Sequence, residues 1–264
     1  MARGLDNPQN LTIIVAAKGE PDVFDLIEDL RSQTKKPKLI ISCTSKSFKQ
    51  YENLKSCDTQ VVLETYPSIG GAWQSAISLL QTSHCMFLGS SDRLHENTTV
   101  EKIIAQIKLF SDQKNFFGAV LQERINGSCY LSRTEFNAKR FFTTGNAICH
   151  QGVIFNTTEL RKINFDHTRV FCDYEMCYKV FKKFPPMYLN YTISIMRKDG
   201  LSTSWPYRLQ MRREFNAIIR ENGNKPSIRA NIDYFISIML FLLTRMLPNT
   251  VSRKAAQLLV GRFS

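Results

Sequence analysis

Residues 84–97, HCMFLGSSDRLHEN, join a short apolar run to a polar loop that carries one carboxylate. The first five residues have the apolar composition of a buried strand, and Gly89 with the two serines after it marks a turn. Asp92 lies in that turn. Aspartate is common in turns and at helix starts, so Asp92 alone indicates no function. Its meaning depends on the pattern of the surrounding chain.

Three further apolar runs precede this one and alternate with helical spacing. They cover Leu11–Ala17, Lys38–Cys43 and residues 60–64. Four buried strands separated by helices predict an α/β fold with a mostly parallel central sheet flanked by helices. Ligands of such sheets bind beyond the carboxyl ends of the strands. We therefore expect binding residues in four segments, 17–20, 42–45, 66–71 and 89–93.

The second half of the chain predicts a mixed sheet followed by helices. Asn126 and Gly127 are typical of a hairpin turn after the strand FFGAVLQ. The other expected elements are a helix at 98–114, a strand at 153–155, a helix at 174–183, a strand at 187–196, and helices from residue 202 with breaks at 222–226 and at Pro248.

Five segments, in the same order along the chain, resemble motifs of the inverting, family-two-type glycosyltransferases. They are GAWQSAI (71–77), FLGSSDRL (87–94), CHQGVIF (149–155), INFDHTRVFCDYEMCYKVFKK (163–183) and RKDGLSTS (197–204). One such match is weak evidence, but five in order are specific. The resemblance, which extends to enzymes of colanic acid and other surface polysaccharides, implies a GT-A fold over residues 1–225. Residues 226–264 then form a basic and apolar C-terminal helical extension.

The resemblance implies that the chain transfers a sugar, with inversion, from a nucleotide-sugar donor to a hydroxyl of a saccharide or lipid-linked acceptor. Asp173 falls on the catalytic base, which takes the proton of the attacking hydroxyl. Asp92 falls on the last aspartate of the metal motif, which implies Mg²⁺ or Mn²⁺ on the donor diphosphate. His150 and Gln151 fall where the family lines the acceptor site. Glu175 is the reserve candidate for the base, although a structural role suits it better.

The donor site is expected at the carboxyl ends of the first, second and fourth strands, at Ala17, Glu20, Ser42, Ser91 and Asp92, and a uridine diphosphate sugar is the favoured donor. The chain departs from the family at four charged or chelating positions, which are Ser42, Gly71, Ser75 and Ser91 here. These small neutral residues weaken both the metal site and the preference for uridine. They motivate an alternative function, a catalytically silent GT-A domain that acts as a binding module in the same pathway.

The chain carries 35 Lys and Arg against 23 Asp and Glu, a net charge of +12. Residues 197–264 hold 12 of the basic and 4 of the acidic residues, so +8 lies in this last part. No nucleic-acid-binding motif accompanies the charge, so nucleic acid is not an expected partner. The apolar segment 228–247 either packs in the protein or a homodimer, or lies on a membrane surface with its basic neighbours on anionic lipids. Trp205 is either an acceptor platform or an anchor for this tail.

Cysteine usage and hydropathy indicate the compartment. The seven cysteines are an odd number without a CxxC pair, which predicts reduced thiols rather than disulfides or a zinc site. The apolar run at 234–243 is well short of the roughly 20 residues that a membrane-spanning helix needs. We expect a cytoplasmic protein, peripheral on the inner face of the cell membrane.

Overall fold

The computed structural model describes residues 11–123, 128–132, 135–144, 148–197 and 205–246. The chain divides into two compact units. The first comprises Met1–Ala138 and Ala147–Lys198, and the second comprises Lys139–Asn146 and Asp199–Ser264. All of the predicted site residues except Trp205 belong to the first unit.

One continuous mixed sheet forms the centre of the first unit. In the described residues its strand order is β3-β2-β1-β4-β8-β6-β9-β5, with β7 beside β6. The strands are β1 Leu11–Ala17, β2 Lys38–Cys43, β3 Thr59–Leu63, β4 His84–Gly89, β5 Arg93–Leu94, β6 Phe116–Glu123, β7 Cys129–Leu131, β8 Val153–Asn156 and β9 Met187–Met196.

The four strands predicted for the front half pair in parallel, as expected. β1 lies between β2 and β4, and β2 pairs with β3. Ala16 of β1 is in register with Ser42 on one side and with Gly89 on the other. The carboxyl ends of β1, β2 and β4 therefore meet at one edge of the sheet.

The back half of the sheet is mixed. β8 runs antiparallel to both β4 and β6, whereas β9 runs parallel to β6. The expected hairpin is confirmed by the antiparallel pairing of β6 with β7. Its turn, at residues 126 and 127, lies outside the described residues. The two-residue strand β5 follows the Asp92 turn and pairs with β9, which joins the two halves.

Seven of the described helices begin in the first unit or at its border, and two belong to the C-terminal region. They are α1 Asp22–Ser32, α2 Phe48–Glu52, α3 Ile69–Ile77, α4 Thr99–Leu109, α5 Ala138–Thr144, α6 Thr157–Leu160, α7 Cys172–Lys183, α8 Trp205–Glu221 and α9 Ile228–Met246. A short 3₁₀ turn, His150–Gly152, precedes β8.

Two of the expected helix bounds were wrong. α4 ends at Leu109 rather than at residue 114, because the backbone of Phe110 leaves the helical region and Leu109 is exposed. α7 begins at Cys172 rather than at residue 174. Asp173 therefore lies inside the first turn of this helix, where the helix dipole favours a carboxylate.

The core of the first unit lies between the sheet and its helices. The central strands are apolar on both faces, and Ile13, Ile14 and Val15 of β1 are fully buried. Helix α1 contributes Val23, Leu26, Ile27 and Leu30 at helical spacing. Each such side chain contributes roughly 1.5–3 kcal/mol when it is buried. This rigid layer fixes the strand ends at which the predicted site lies.

The second unit contains α8 and α9, which pack against each other. The predicted break between them is confirmed, since α8 ends at Glu221 and Gly223 takes a left-handed conformation with φ of 80°. Arg212 of α8 pairs with Asp233 of α9 at 3.9 Å. The predicted domain boundary at residue 225 falls in this turn, inside the second unit. Within the described part of the chain, no helix combines the length and hydropathy that crossing a membrane requires.

Candidate functional site

The turn after β4 is closed by the carboxylate of Asp92. The backbone N–H of Gly89 donates to Oδ2 of Asp92 at 2.6 Å, and the N–H of Asp92 donates to the carbonyl of Gly89 at 3.2 Å. A Cβ on Gly89 would lie 3.1 Å from the same Oδ2, so glycine suits this close approach. Asp92 is buried, with 3% of its surface exposed. The turn thus presents Asp92 in one fixed conformation.

The residue after Asp92 ties the turn to helix α1. Arg93 donates from Nη1 to the carbonyl of Asp92 at 2.7 Å, and its Nη2 lies 3.5 Å from the carboxylate of Asp25. The backbone N–H of Leu94 donates to Oδ2 of Asp29 at 3.0 Å. Arg93 was not predicted from sequence as a site residue. Its position between Asp92 and an apolar strand residue could have indicated that it stabilises the turn.

Burial dominates the electrostatics of Asp92. Removal from water raises the pKa of this carboxyl, while the Gly89 N–H, His150, the Gln151 side chain and Arg93 counter the rise in that order. His150 and Gln151 therefore lie close to Asp92. The structure brings these three predicted residues together.

His150 makes its direct contact with Asp173. Nδ1 of His150 lies 2.9 Å from Oδ2 of Asp173, and both side chains remain partly exposed. The other oxygen of Asp173 accepts the backbone N–H of Tyr174 at 2.8 Å. The rings of Trp73 and His150 make an edge-type contact, with centroids 5.2 Å apart. These contacts hold the imidazole and the carboxylate in a defined mutual orientation.

Gln151 is buried near Asp92. Its side chain helps to lower the pKa of Asp92, and its carbonyl accepts from Ser194 Oγ at 2.9 Å. Burial raises the pKa of the neighbouring Cys149 thiol to about 12. The negative charges of Asp173 and Asp92 add to this rise. The thiol is therefore neutral near pH 7 and is not a nucleophile.

Glu175 is held in an ion-pair network away from this cluster. It is buried and pairs with Lys179 at 2.6 Å and with Arg169 at 3.4 Å. It also accepts the backbone N–H of Asp166 at 3.2 Å. These contacts engage both carboxylate oxygens, which suits the structural role expected for Glu175.

The positions that depart from the family are largely closed to a ligand. Ser42 is fully buried, and its Oγ has no hydrogen-bond partner among the described residues. Ser75 accepts the N–H of Thr65 at 2.8 Å. A Cβ on Gly71 would lie only 2.4 Å from the carbonyl oxygen of Tyr66, so no larger residue fits there without a backbone shift. Ser91 is partly exposed in the Asp92 turn.

Two of the remaining predicted residues, Ala17 and Glu20, lie at or just after the end of β1. The side chain of the third, Trp205, lies outside the part of the chain that the structure describes. Ala17 is buried at the end of β1. Glu20 is partly exposed, and its carboxylate accepts the backbone N–H of Lys18 at 2.6 Å. Trp205 begins α8, but its side chain lies outside the described residues. The structure thus places all five donor candidates at or directly after the carboxyl ends of β1, β2 and β4.

The residues present do not form a complete metal site. In the described segments, no group of three or more His, Cys, Asp or Glu side chains could hold a metal ion. Asp92 supplies the single carboxylate of the turn, and one of its oxygens already accepts from Gly89. A hard cation needs about six oxygen ligands, so this protein donor set alone does not fit a resident Mg²⁺ or Mn²⁺.

The cluster nevertheless has the groups for proton transfer at the edge of a sheet. A partly exposed carboxylate, Asp173, is oriented by an imidazole N–H, which is a common arrangement for a general base. A second carboxylate, Asp92, lies close enough to His150 for the imidazole to lower its pKa. The two acids differ in environment, because Asp92 is buried and Asp173 is accessible.

Comparison with known proteins identifies the fold. No known sequence family matches the chain, and no curated protein matches it significantly. Solved structures do match. S. aureus TarS 1–349 in complex with UDP-GlcNAc shares 13% identity and a TM-score of 0.58, over 92% of this chain and 83% of TarS.

Two further structures cover similar shares of the chain. The mannosyltransferase PcManGT of Pyrobaculum calidifontis, in complex with GDP-Man and Mn²⁺, has 12% identity and a TM-score of 0.56 over 97% of this chain and 76% of its own. Glucosyl-3-phosphoglycerate synthase of Mycobacterium tuberculosis, in complex with Mn²⁺, UDP-glucose and phosphoglyceric acid, has 12% identity and a TM-score of 0.58 over 83% and 82%. The predicted GT-A fold is confirmed.

Proposed function

We propose that this protein is a glycosyltransferase that moves a sugar, with inversion, from a nucleotide-sugar donor to a hydroxyl group of an acceptor. The observation that carries the proposal is the contact between His150 and Asp173, which lies beside Asp92 at the edge of a GT-A sheet. The similar structures hold nucleotide sugars, namely UDP-GlcNAc, GDP-Man and UDP-glucose, and this supports a donor of that class.

Asp173 is the proposed base. Its carboxylate takes the proton of the acceptor hydroxyl while the hydroxyl oxygen forms a bond to the anomeric carbon of the sugar. The bond from that carbon to the diphosphate oxygen breaks on the opposite face, and the nucleoside diphosphate leaves with the electron pair. The His150 N–H holds Oδ2 of Asp173 during the transfer, so the carboxylate meets the hydroxyl in one orientation.

The donor is proposed to bind at the carboxyl ends of β1, β2 and β4. Ala17, Glu20 and Ser91 lie at or beside this edge, and the buried Asp92 fixes the turn between them. Ser42 lies near the end of β2 and stays a proposed donor residue, with its side chain fully buried. A uridine diphosphate sugar remains the favoured donor.

A divalent cation is proposed to arrive with the donor diphosphate. Two of the similar structures hold Mn²⁺. In this chain Asp92 would be the residue that contacts it. A bound cation would supply positive charge against the leaving diphosphate.

The acceptor is proposed to be a saccharide or a lipid-linked sugar of a surface glycan, at the cytoplasmic face of the membrane. His150, which is partly exposed, is the proposed acceptor contact, and the neighbouring Gln151 is buried. Trp205 stays a candidate platform for the acceptor.

Release of nucleoside diphosphate tests the function. The wild-type chain is incubated with common nucleotide sugars, Mg²⁺ or Mn²⁺, and a panel of polysaccharide and glycolipid acceptors. We expect acceptor-dependent release from at least one donor, and a new glycosidic linkage of inverted anomeric configuration. Absence of release with every donor and acceptor, from protein that still binds nucleoside diphosphate, would argue against catalysis.

A silent binding module is the second candidate, and the closed positions Ser42, Gly71 and Ser75 favour it. Calorimetry with UDP and GDP separates the two functions at the donor step. The module alternative predicts that neither nucleotide binds, with or without Mn²⁺, and that the chain co-purifies with another protein of the pathway. Micromolar binding of either nucleotide would remove its main support.

A further inference from the structure

Helix α9 carries a stripe of exposed apolar side chains along its whole length. We call this the α9 stripe, and its members are Ile228, Ile232, Phe235, Met239 and Leu242. Phe235 exposes 62% of its surface and Ile228 exposes 80%. Isolated exposed apolar residues are normal, but a row of them on one helix marks an interaction surface.

The spacing of the stripe places all five side chains on one face. Successive members are four, three, four and three residues apart, which keeps them within a narrow arc of an α-helix. At about 1.5 Å per residue the stripe is roughly 20 Å long. It forms a continuous apolar strip rather than a scatter of residues.

The opposite face of α9 is already occupied by α8. Ala230 is buried there, and Asp233 pairs with Arg212 of α8. Ser237 donates its Oγ–H to the carbonyl of Asp233 at 2.7 Å. The one acidic residue of α9 is therefore turned away from the stripe and engaged.

Basic residues lie beside the stripe near its N-terminal end. At about 100° per residue, Arg229 lies roughly a quarter turn from the centre of the stripe. Arg229 and nearby Lys225 are exposed. Over residues 205–246 the sequence holds seven Lys and Arg against three Asp and Glu. The apolar strip thus has a positive edge near its N-terminal end.

This charge pattern distinguishes between two occupants. A second copy of the chain would bring the same net positive charge to the interface, whereas paired helices are usually joined by opposite charges at the edges of the seam. An anionic phospholipid surface offers both an apolar layer for the stripe and negative head groups for the basic residues. We propose that the α9 stripe docks this protein on an anionic phospholipid surface, with Phe235 inserted and Arg229 on the head groups.

The proposal is independent of sugar transfer and predicts separate contributions from the two kinds of residue. Insertion of a phenylalanine side chain is expected to strengthen partitioning by roughly tenfold or more. Each arginine on an anionic surface is expected to add about fivefold, and salt weakens that part alone.

Vesicle co-sedimentation of the full chain is the test. Two kinds of vesicle are used, pure phosphatidylcholine and equal parts of phosphatidylcholine and phosphatidylglycerol. The variants are Phe235→Ser and Arg229→Gln. Their matched controls are Leu109→Ser and Lys108→Gln, which change an exposed leucine and an exposed lysine on α4 of the first unit.

We expect wild-type protein and both controls to sediment with the phosphatidylglycerol vesicles and to stay in solution with pure phosphatidylcholine. Phe235→Ser should reduce binding roughly tenfold and Arg229→Gln about fivefold, with unchanged thermal unfolding. Equal binding by wild type and Phe235→Ser, or no binding by wild type, would overturn the proposal. A dimer that Phe235→Ser dissociates, in the absence of vesicle binding, would assign the stripe to a second copy and equally overturn it.

Discussion

Nδ1 of His150 lies 2.9 Å from Oδ2 of Asp173, which joins the 3₁₀ turn before β8 to the first turn of α7. The two residues are 23 positions apart in the chain. Each was expected to act at the acceptor side of the site, but as separate groups. We infer from this contact that His150 orients Asp173, the proposed base, in addition to any contact with the acceptor.

Replacement of His150 tests that orienting role. His150→Ala removes a hydrogen bond to a carboxylate, worth about 1.5–3 kcal/mol, so kcat should fall roughly 10- to 100-fold. His150→Asn retains a donor near the position of Nδ1 and should recover part of the loss. The measurement is kcat and acceptor KM for both variants. A rise in acceptor KM at constant kcat would instead make His150 an acceptor contact alone.

Acid stability should depend on His84, at the start of β4. Burial lowers the pKa of this imidazole to about 4 from 6.5. Because the unfolded chain binds the proton more readily, the contribution of neutral His84 is present above pH 6.5 and is lost as the pH falls toward 4. The loss approaches about 3 kcal/mol.

Urea unfolding between pH 4 and pH 7 compares the wild type with His84→Gln. The variant should lose less of its unfolding free energy over this interval than the wild type does. His95→Gln, at a partly exposed histidine, serves as the control and should follow the wild type. If acidification stabilised the wild type relative to His84→Gln, the pKa of His84 would be raised in the folded state rather than lowered, which would contradict the prediction.

Gly71 should be intolerant of any side chain. A Cβ at this position would meet the Tyr66 carbonyl at 2.4 Å, so Gly71→Ala is expected to lower the unfolding free energy by about 1–3 kcal/mol or more. Restoration of the family's aspartate at this position should therefore destabilise the fold rather than repair the donor site. Gln74→Ala, at an exposed position of α3, is the control and should cost little. Wild-type stability of Gly71→Ala would mean that the Tyr66 segment moves freely.

Cation binding should require the donor nucleotide. Mn²⁺ alone should leave the melting temperature unchanged, because the described residues form no three-ligand site. Mn²⁺ with UDP should raise it. Ser91→Asp adds a second carboxylate to the exposed side of the turn and should enlarge this shift. An equal shift with Mn²⁺ alone would place a resident metal site in the protein.

The four parallel strands and the segments at their carboxyl ends could be predicted from sequence, because both depend on local patterns. Apolar runs and helical spacing gave β1, β2 and β4, and the rule that ligands bind at strand ends pointed to Asp92. The resemblance added Asp173. These features rest on short segments whose meaning does not depend on distant contacts.

The rest depends on long-range packing that a single sequence does not display. The place of Asp92 in a polar turn does not indicate its burial, which arises because the chain closes over it through Gly89 and Gln151. The burial of Ser42 and the clash that excludes a side chain at Gly71 are also consequences of tertiary structure. The apolar α9 segment was visible in sequence, but which of its faces is free became clear only from its packing on α8.

The turnover rate of Asp173→Asn tests the central claim most directly. It is measured with the donor and acceptor from which the wild type releases nucleoside diphosphate fastest. Asparagine keeps the size of the side chain but cannot take a proton, so the rate should fall by about 10²–10⁴-fold with unchanged donor binding. Asp112→Asn, at an exposed aspartate after α4, should retain the wild-type rate. Equal rates for the wild type and Asp173→Asn would contradict the assignment of Asp173 as the base.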